Sequence, residues 1–286
     1  MFVNGVQFRI RLGGLASVLA VASTPPCRAE DRKTRQFCEA SEERVVKRVL
    51  FVRHGEGYHN LRDPQGHKIG PGNDLFDPEL TTKGIADARS VFAATPPGRL
   101  DFKPDLIVVS PLTRALQTAE QAMDARPDKH TCPMIASDRV REHLNLNPCN
   151  RRRPRSEYEL AFPQVDFSRL EQDGPAPGSE WALTYKDAFS KLRDRADLAL
   201  FEVDELEAEW VAVFCHATFM RAVLSNVLGL NLNHAVKPPR NGESVEVWRV
   251  ERPDGQRYWE MRSSRREIAS PISLGVERAD GNHATK

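Results

Sequence analysis

Arg53, His54 and Gly55 put a cation, an imidazole and a glycine in consecutive positions, directly after the apolar run Val49-Leu50-Phe51-Val52. Arginine's planar fork matches the oxygens of a phosphate. A neutral imidazole can attack phosphorus, and glycine lets the backbone approach a ligand closely. Taken alone, the triplet fits equally well a satisfied histidine in an ordinary loop after a strand, because short motifs recur by chance. Other residues have to decide. His216 ends the apolar run Val211-Ala212-Val213-Phe214-Cys215, and Arg114 stands one turn into the helical pattern that follows Asp105-Leu106-Ile107-Val108-Val109.

Phosphoryl transfer through an imidazole needs a nucleophile, cations on the non-bridging oxygens, a further phosphate ligand and an acid for the leaving alcohol. His54 suits the nucleophile, Arg53 and Arg114 the clamps, and His216 the further ligand. The acid must come from a loop. Glu142, in Val140-Arg141-Glu142-His143-Leu144, is the best placed by sequence, with Glu79 and Glu157 as competing carboxylates.

The elements that must position these groups follow from periodicity. Continuous apolar runs at 49–52, 106–109 (following Asp105) and 211–215 predict strands buried on both faces, with a short strand over Pro133 to Ala136. Helical spacing predicts helices over 82–92, 112–123, 180–202 (Trp181, Tyr185, Phe189, Leu192, Ala196, Ala199) and 218–228, the last closed by Gly229. Ser110-Pro111 suggests an N-cap followed by proline in the first helical position. Ser244 to Val250 alternates apolar and polar residues as a half-buried edge strand does, and Tyr258 to Met261 is a candidate partner for it. Residues 57–80 predict a long loop, and residues 137–178 are irregular and basic. Strands alternating with helices give an α/β class with a largely parallel sheet covered on both faces. In such sheets ligands bind beyond the strands' C-terminal ends, where helix N-termini favour anions. His54, Arg114 and His216 all fall at that edge.

Composition sets bounds. The chain has 286 residues, 40% hydrophobic and 28% charged, with a net charge of +1. The charge balance gives no argument for nucleic acid or for a membrane surface, and no apolar run is long enough to span a bilayer. The five cysteines show no Cys-x-x-Cys spacing, which argues against a zinc site or a disulfide framework. Cys215 reads as a buried thiol. Cysteine usage favours a reducing, cytoplasmic compartment. Residues 1–30 leave open a secretory signal, an organellar transit peptide or an unprocessed, frayed N-terminus. Residues 265–286 read as a loose polar tail.

Four segments in order resemble the histidine phosphatase superfamily, the phosphoglycerate-mutase-like proteins of the branch 1 type. Leu50 to Glu56 with Asn60 is similar to that family's opening motif. Asp77 to Gly84 resembles the loop into its first helix, Ser110 to Thr118 its second motif, and Phe214-Cys215-His216 the strand ending in its second histidine. The resemblance covers about residues 47–262. It implies a three-layer α/β/α sandwich over a catalytic domain of about 45–264. It also implies a phosphohistidine on His54, and a phosphate pocket completed by Arg53, Arg114 and His216. Asn60 would line that pocket, Glu142 would donate the proton, and the chemistry would need no metal or other cofactor. Ala217 departs from the glycine or serine usual after the second histidine. The region after Asn60 lacks the loop of glycolytic mutases.

The expected function is therefore a phosphomonoester hydrolase acting on a small phosphorylated substrate. A phosphoglycerate-type phosphomutase is the first alternative, and an inactive phospho-ligand-binding regulator the second. His59 and His67 offer no known metal pattern with His54 and read as a solvated loop. Arg151, Arg152, Arg153 and Arg155 could meet a second anionic group, or else form a basic loop paired with Glu157 and Glu159.

Overall fold

The computed structural model describes residues 42–93, 100–143, 147–172, 185–230 and 239–262. The expected leader at 1–30, the tail at 265–286 and Trp181 lie outside the described residues. The first strand, β1 (Arg44–Arg53), carries the run Val49 to Val52, whose side chains are at most 3% exposed. Each such fully buried aliphatic side chain contributes about 1.5–3 kcal/mol. The elements that follow are α1 (Thr82–Arg89), β2 (Leu106–Val109), α2 (Thr113–Asp124), β3 (Met134–Ala136), α3 (Arg155–Ala161), β4 (Val165–Asp166), α4 (Tyr185–Asp204), β5 (Trp210–Cys215), α5 (Ala217–Val227), β6 (Ser244–Glu251) and β7 (Arg257–Arg262).

The seven strands form one sheet in the order β4-β3-β2-β5-β1-β6-β7. The first five run parallel, while β6 is antiparallel to β1 and β7 to β6. Alternation along β1 sends Val49 and Phe51 into a core with Leu192 and Ala196 of α4 and Phe219 and Met220 of α5. Leu50 and Val52 point the other way, into a core with Ala115 and Leu116 of α2, Tyr158 of α3 and Phe92. The result is the expected three-layer α/β/α sandwich with a mostly parallel sheet.

Three local expectations are corrected. β6 is not an edge strand: β7 covers its outer side, and the alternation reflects partial exposure of one face. The irregular stretch 137–178 contains α3 and β4 within its described part. Ser110 does not cap α2. Leu112 is the N-cap residue, and Ser110, fully buried, turns its hydroxyl to the second strand-end histidine instead.

Topology explains where a site can form. β5 lies between β1 and β2, so Arg53-His54, the β2–α2 turn and His216 emerge side by side at one edge. Because β6 runs antiparallel to β1, the loop that precedes it reaches the same edge. The catalytic-edge turn also packs backbone against backbone on α1. A Cβ on Gly55 would stand 2.2 Å from the Gly84 carbonyl oxygen, and one on Gly84 would stand 2.0 Å from that of Glu56.

Candidate active site

His54 is 2% exposed. Its Nδ1 lies 2.6 Å from the Gly55 carbonyl oxygen. A carbonyl can only accept, so Nδ1 carries the proton and Nε2 carries the lone pair. Arg114 confirms the polarity from the other side, since its Nε donates to His54 Nε2 at 3.2 Å. Burial, followed by the positive fields of Arg114, His59 and Arg53, holds the imidazole well below the usual histidine range. It is neutral at physiological pH, as a nucleophile must be.

Arg114 is 1% exposed and is held at both ends of its fork. Nη1 donates to the Cys149 carbonyl at 2.7 Å and Nη2 to Asn150 Oδ1 at 3.1 Å. The helix that carries it is fixed by Asp77, a buried carboxylate in the left-handed region with φ 41°. Asp77 accepts from the Thr113 N–H at 2.9 Å, the Tyr158 hydroxyl at 2.8 Å and Arg153 Nε at 3.2 Å. Arg53 Nη1 donates to the Pro239 carbonyl at 2.8 Å. Its buried Nε finds no partner among the described residues, which leaves that donor for an anion.

His216 is fully buried, with Nε2 2.7 Å from Ser110 Oγ and its ring centroid 5.1 Å from that of His54. Burial, then Arg114 and His54, lower its pKa well below the usual value. Asn60 closes the short turn Tyr58–Asn60. Its Oδ1 accepts from the Gly57 N–H at 3.2 Å and from Asn241 Nδ2 at 3.2 Å.

Glu142 lies across the N-terminus of α5. Oε2 accepts from the Thr218 N–H at 3.1 Å, and Oε1 from the N–H groups of Phe219 at 3.1 Å and His143 at 2.9 Å. Burial alone would raise its pKa. The His143 side chain and the backbone donors outweigh that and bring it to about 2. The helix N-terminus expected to receive phosphate thus already holds a carboxylate of the chain's own. The competing carboxylates turn away: Glu79 and Glu157 are exposed, and Glu157 pairs with Arg153.

The fold therefore brings His54, Arg53, Arg114, His216, Asn60 and Glu142 to one edge of the sheet. Sequence reasoning misplaced His59. It is 8% exposed rather than solvated, its ring lies 5.6 Å from that of His54, and burial with Arg114 lowers its pKa to about 2. His67 is exposed and pairs with Asp63. The basic loop is largely committed within the fold, with Arg152 on Asp138, Arg153 on Asp77 and Glu157, and Arg155 on Glu159. Sequence reasoning missed Ser110, Asn150, Thr118 and Asn241. Ser110 and Thr118 lay at the two ends of the segment Ser110 to Thr118, and Asn241 in an Asn-Gly pair just before a strand, but none of these signals showed what the side chain would touch. Among the described residues, no group of three or more His, Cys, Asp or Glu is arranged to hold a metal ion, and no helix is long and apolar enough to cross a membrane.

The chain is similar to known proteins. The family model of the histidine phosphatase superfamily (branch 1) matches residues 49–262. The chain is 27% identical over 198 residues to phosphoglycerate mutase-like protein 1 of Arabidopsis thaliana, covering 61% of this chain and 69% of that one. It is 30% identical over 223 residues to a probable phosphoglycerate mutase of Arthroderma benhamiae, covering 71% of this chain and 65% of that one. Among solved structures, a mycobacterial glucosyl-3-phosphoglycerate phosphatase aligns with a TM-score of 0.46 at 16% identity, over 76% of this chain and 97% of that one.

Proposed function

The chain belongs to the histidine phosphatase superfamily, branch 1, and from that premise we propose that it hydrolyses phosphate monoesters through a phosphohistidine on His54. The observation that carries the proposal is the fixed tautomer. Nδ1–H is spent on the Gly55 carbonyl, so the Nε2 lone pair is the group presented beside the guanidinium of Arg114.

In the first step the Nε2 lone pair attacks phosphorus and the bond from phosphorus to the ester oxygen breaks. Arg53 and Arg114 hold the non-bridging oxygens, whose charge shifts in the transition state. His216 and Asn60 complete the phosphate's surroundings, and the leaving alkoxide takes a proton from Glu142. As a carboxylate with a pKa of about 2, Glu142 is charged before substrate enters. A phosphate dianion brings like charge beside it, which raises its affinity for a proton, and the carboxylate takes that proton from solvent as the substrate binds, so that it has one to give. In the second step water attacks the phosphohistidine, Glu142 accepts the water's proton, and the N–P bond breaks to release orthophosphate. The partner is a small phosphate ester.

The test is a labelled phosphate ester mixed with protein and quenched by denaturation at alkaline pH. Label should appear on the protein, on His54, and vanish in His54→Asn together with turnover. Turnover by His54→Asn near the wild-type rate would overturn the proposal. Label passing to a second phosphoglycerate rather than to water would make the protein a mutase.

A further inference from the structure

The Gly55 carbonyl that fixes the tautomer of His54 is itself held, and by a residue from the far end of the chain. Asn241 Nδ2 lies 3.1 Å from the carbonyl oxygens of both His54 and Gly55 and 3.2 Å from Asn60 Oδ1, three acceptors that share its two N–H groups. The next residue reinforces it, with Gly242 N–H 3.2 Å from the carbonyl oxygens of both Arg53 and His54. Gly242 has φ +74°, and a Cβ there would stand 2.9 Å from the Asp87 side chain, so the strap passes tightly between β1 and α1. The other side of the Gly55 residue is fixed as well, its N–H donating to Thr118 Oγ1 at 3.1 Å, and that hydroxyl donating to the Arg114 carbonyl at 2.6 Å.

We propose that Asn241 is a positioning residue for the nucleophile: it orients the Gly55 carbonyl, and through that carbonyl it keeps the lone pair of His54 on Nε2. Which ring nitrogen of a histidine is protonated is set by the hydrogen bond the other one makes. Here the acceptor of that bond is the carbonyl of a glycine, which has no side chain of its own to hold it. Asn241 is one of few groups that can stop the peptide between Gly55 and Glu56 from rotating. A rotated carbonyl would release Nδ1–H and admit the Nε2–H tautomer, whose lone pair faces away from Arg114. Asn241 does not touch the reacting atoms. By way of Asn60 it also couples the pocket-lining turn Tyr58–Asn60 to the same carbonyls. The functional weight of the proposal rests on His54 being the nucleophile; the tautomer itself does not.

The experiment uses full-length protein with 15N-labelled histidine, and the His54 signals are assigned by their loss in His54→Asn. Wild type should show one tautomer, with Nδ1 protonated and Nε2 bare. Asn241→Ala should show a mixture with a measurable Nε2–H fraction, while His67 and His130 keep their wild-type shifts. Asn241→Ser retains one donor and should fall between the two; it also serves if the alanine variant does not fold. In single-turnover assays Asn241→Ala should slow phosphoenzyme formation by about 10–100-fold, the size seen when outer orienting groups are removed, with little change in KM. Wild-type His54 shifts in Asn241→Ala, or in Asn241→Ser where only that variant folds, would overturn the proposal. So would a uniform shift of all histidines. A wild-type protein that forms no phosphoenzyme would sink the function proposed above, while the tautomer comparison would still decide the role of Asn241.

Discussion

Replacing Glu142 with glutamine separates what its carboxylate does for the fold from what it does for a substrate. The pKa falls from 4.5 to about 2 in the folded protein, which corresponds to about 3 kcal/mol favouring the charged form. The sign follows directly. A depressed carboxylate stabilises the fold above pH 4.5 and loses that contribution as pH drops toward 2. Glutamine keeps one acceptor oxygen but must aim its NH2 at a backbone N–H of Thr218, Phe219 or His143, leaving at least one buried donor unpaired at a cost of about 1–3 kcal/mol. A loss of up to about 3 kcal/mol should lower Tm by about 6–12 °C for a domain of this size. Kinetics carry the second half. A nitrophenolate leaves without a proton, whereas an alkyl alkoxide needs one. General acid catalysis is worth about 10²–10⁴-fold. Glu142→Gln should therefore slow phosphoenzyme formation in a single turnover by that factor more for an alkyl phosphate than for nitrophenyl phosphate, both measured below the new Tm, since the later attack of water is common to the two esters. Equal losses on the two esters would refute the proton-donor role and leave Glu142 as the anchor of α5 alone.

Arg114→Met removes two or so charge-assisted hydrogen bonds to phosphate, each worth about 1.5–3 kcal/mol. It should lower kcat/KM on nitrophenyl phosphate by about 10²–10⁴-fold, and an unaltered value would take Arg114 out of the pocket. His54, His59 and His216 are buried with lowered pKa values, so below pH 6.5 the unfolded chain binds protons that the folded one does not. Stability falls with pH there, and three such groups remove about 4 kcal/mol by pH 5.5. Urea titrations at pH 7 and 5.5 check this, and an unchanged midpoint would mean that the imidazoles are protonated in the fold. Asp77→Ala leaves the buried donors of Thr113 and Tyr158 unpaired, while Arg153 keeps Glu157, and should cost about 2–6 kcal/mol. It is read as a lower urea midpoint, with a slower rate following from displacement of the helix that carries Arg114.

The parts legible in the sequence are those set by neighbours along the chain. Three uninterrupted apolar runs marked β1, β2 and β5 as central parallel strands, and their C-terminal ends marked His54 and His216. Helical spacing located α1, α2, α4 and α5 within a few residues. Short β3 and β4 gave little signal because three or two residues cannot show a period. β6 looked like an edge because its polar and apolar residues alternate, although Tyr258 to Met261 was already a candidate partner, and the pairing with β7 shows that it is covered. Ser110 was misread because Ser-Pro before a helix is a sound local cap, and a buried histidine more than a hundred positions away competes for the same hydroxyl. The pocket's orienting groups were least legible. Asn241 acts on backbone carbonyls, and the Cys149 carbonyl holds Arg114, and backbone atoms leave no trace in residue type.

The reversal of β6 has a consequence for how the protein comes together. Asn241 and Gly55 are 186 positions apart, and the hairpin that Asn241 precedes sits at one end of the strand order, joined to the parallel strands through the pairing of β6 with β1. The five parallel strands can be hydrogen-bonded to one another while the C-terminal hairpin is still undocked, yet in that state the turn at His54 lacks its strap. Activity should be the last property regained on refolding, lagging the fluorescence of Trp210 within β5. A local opening that lifts β6 and β7 would undo the strap on the turn at His54 and would also withdraw Val247 and Trp259 from the core they share with α4 and α5, so the strap is tied to the stability of that core.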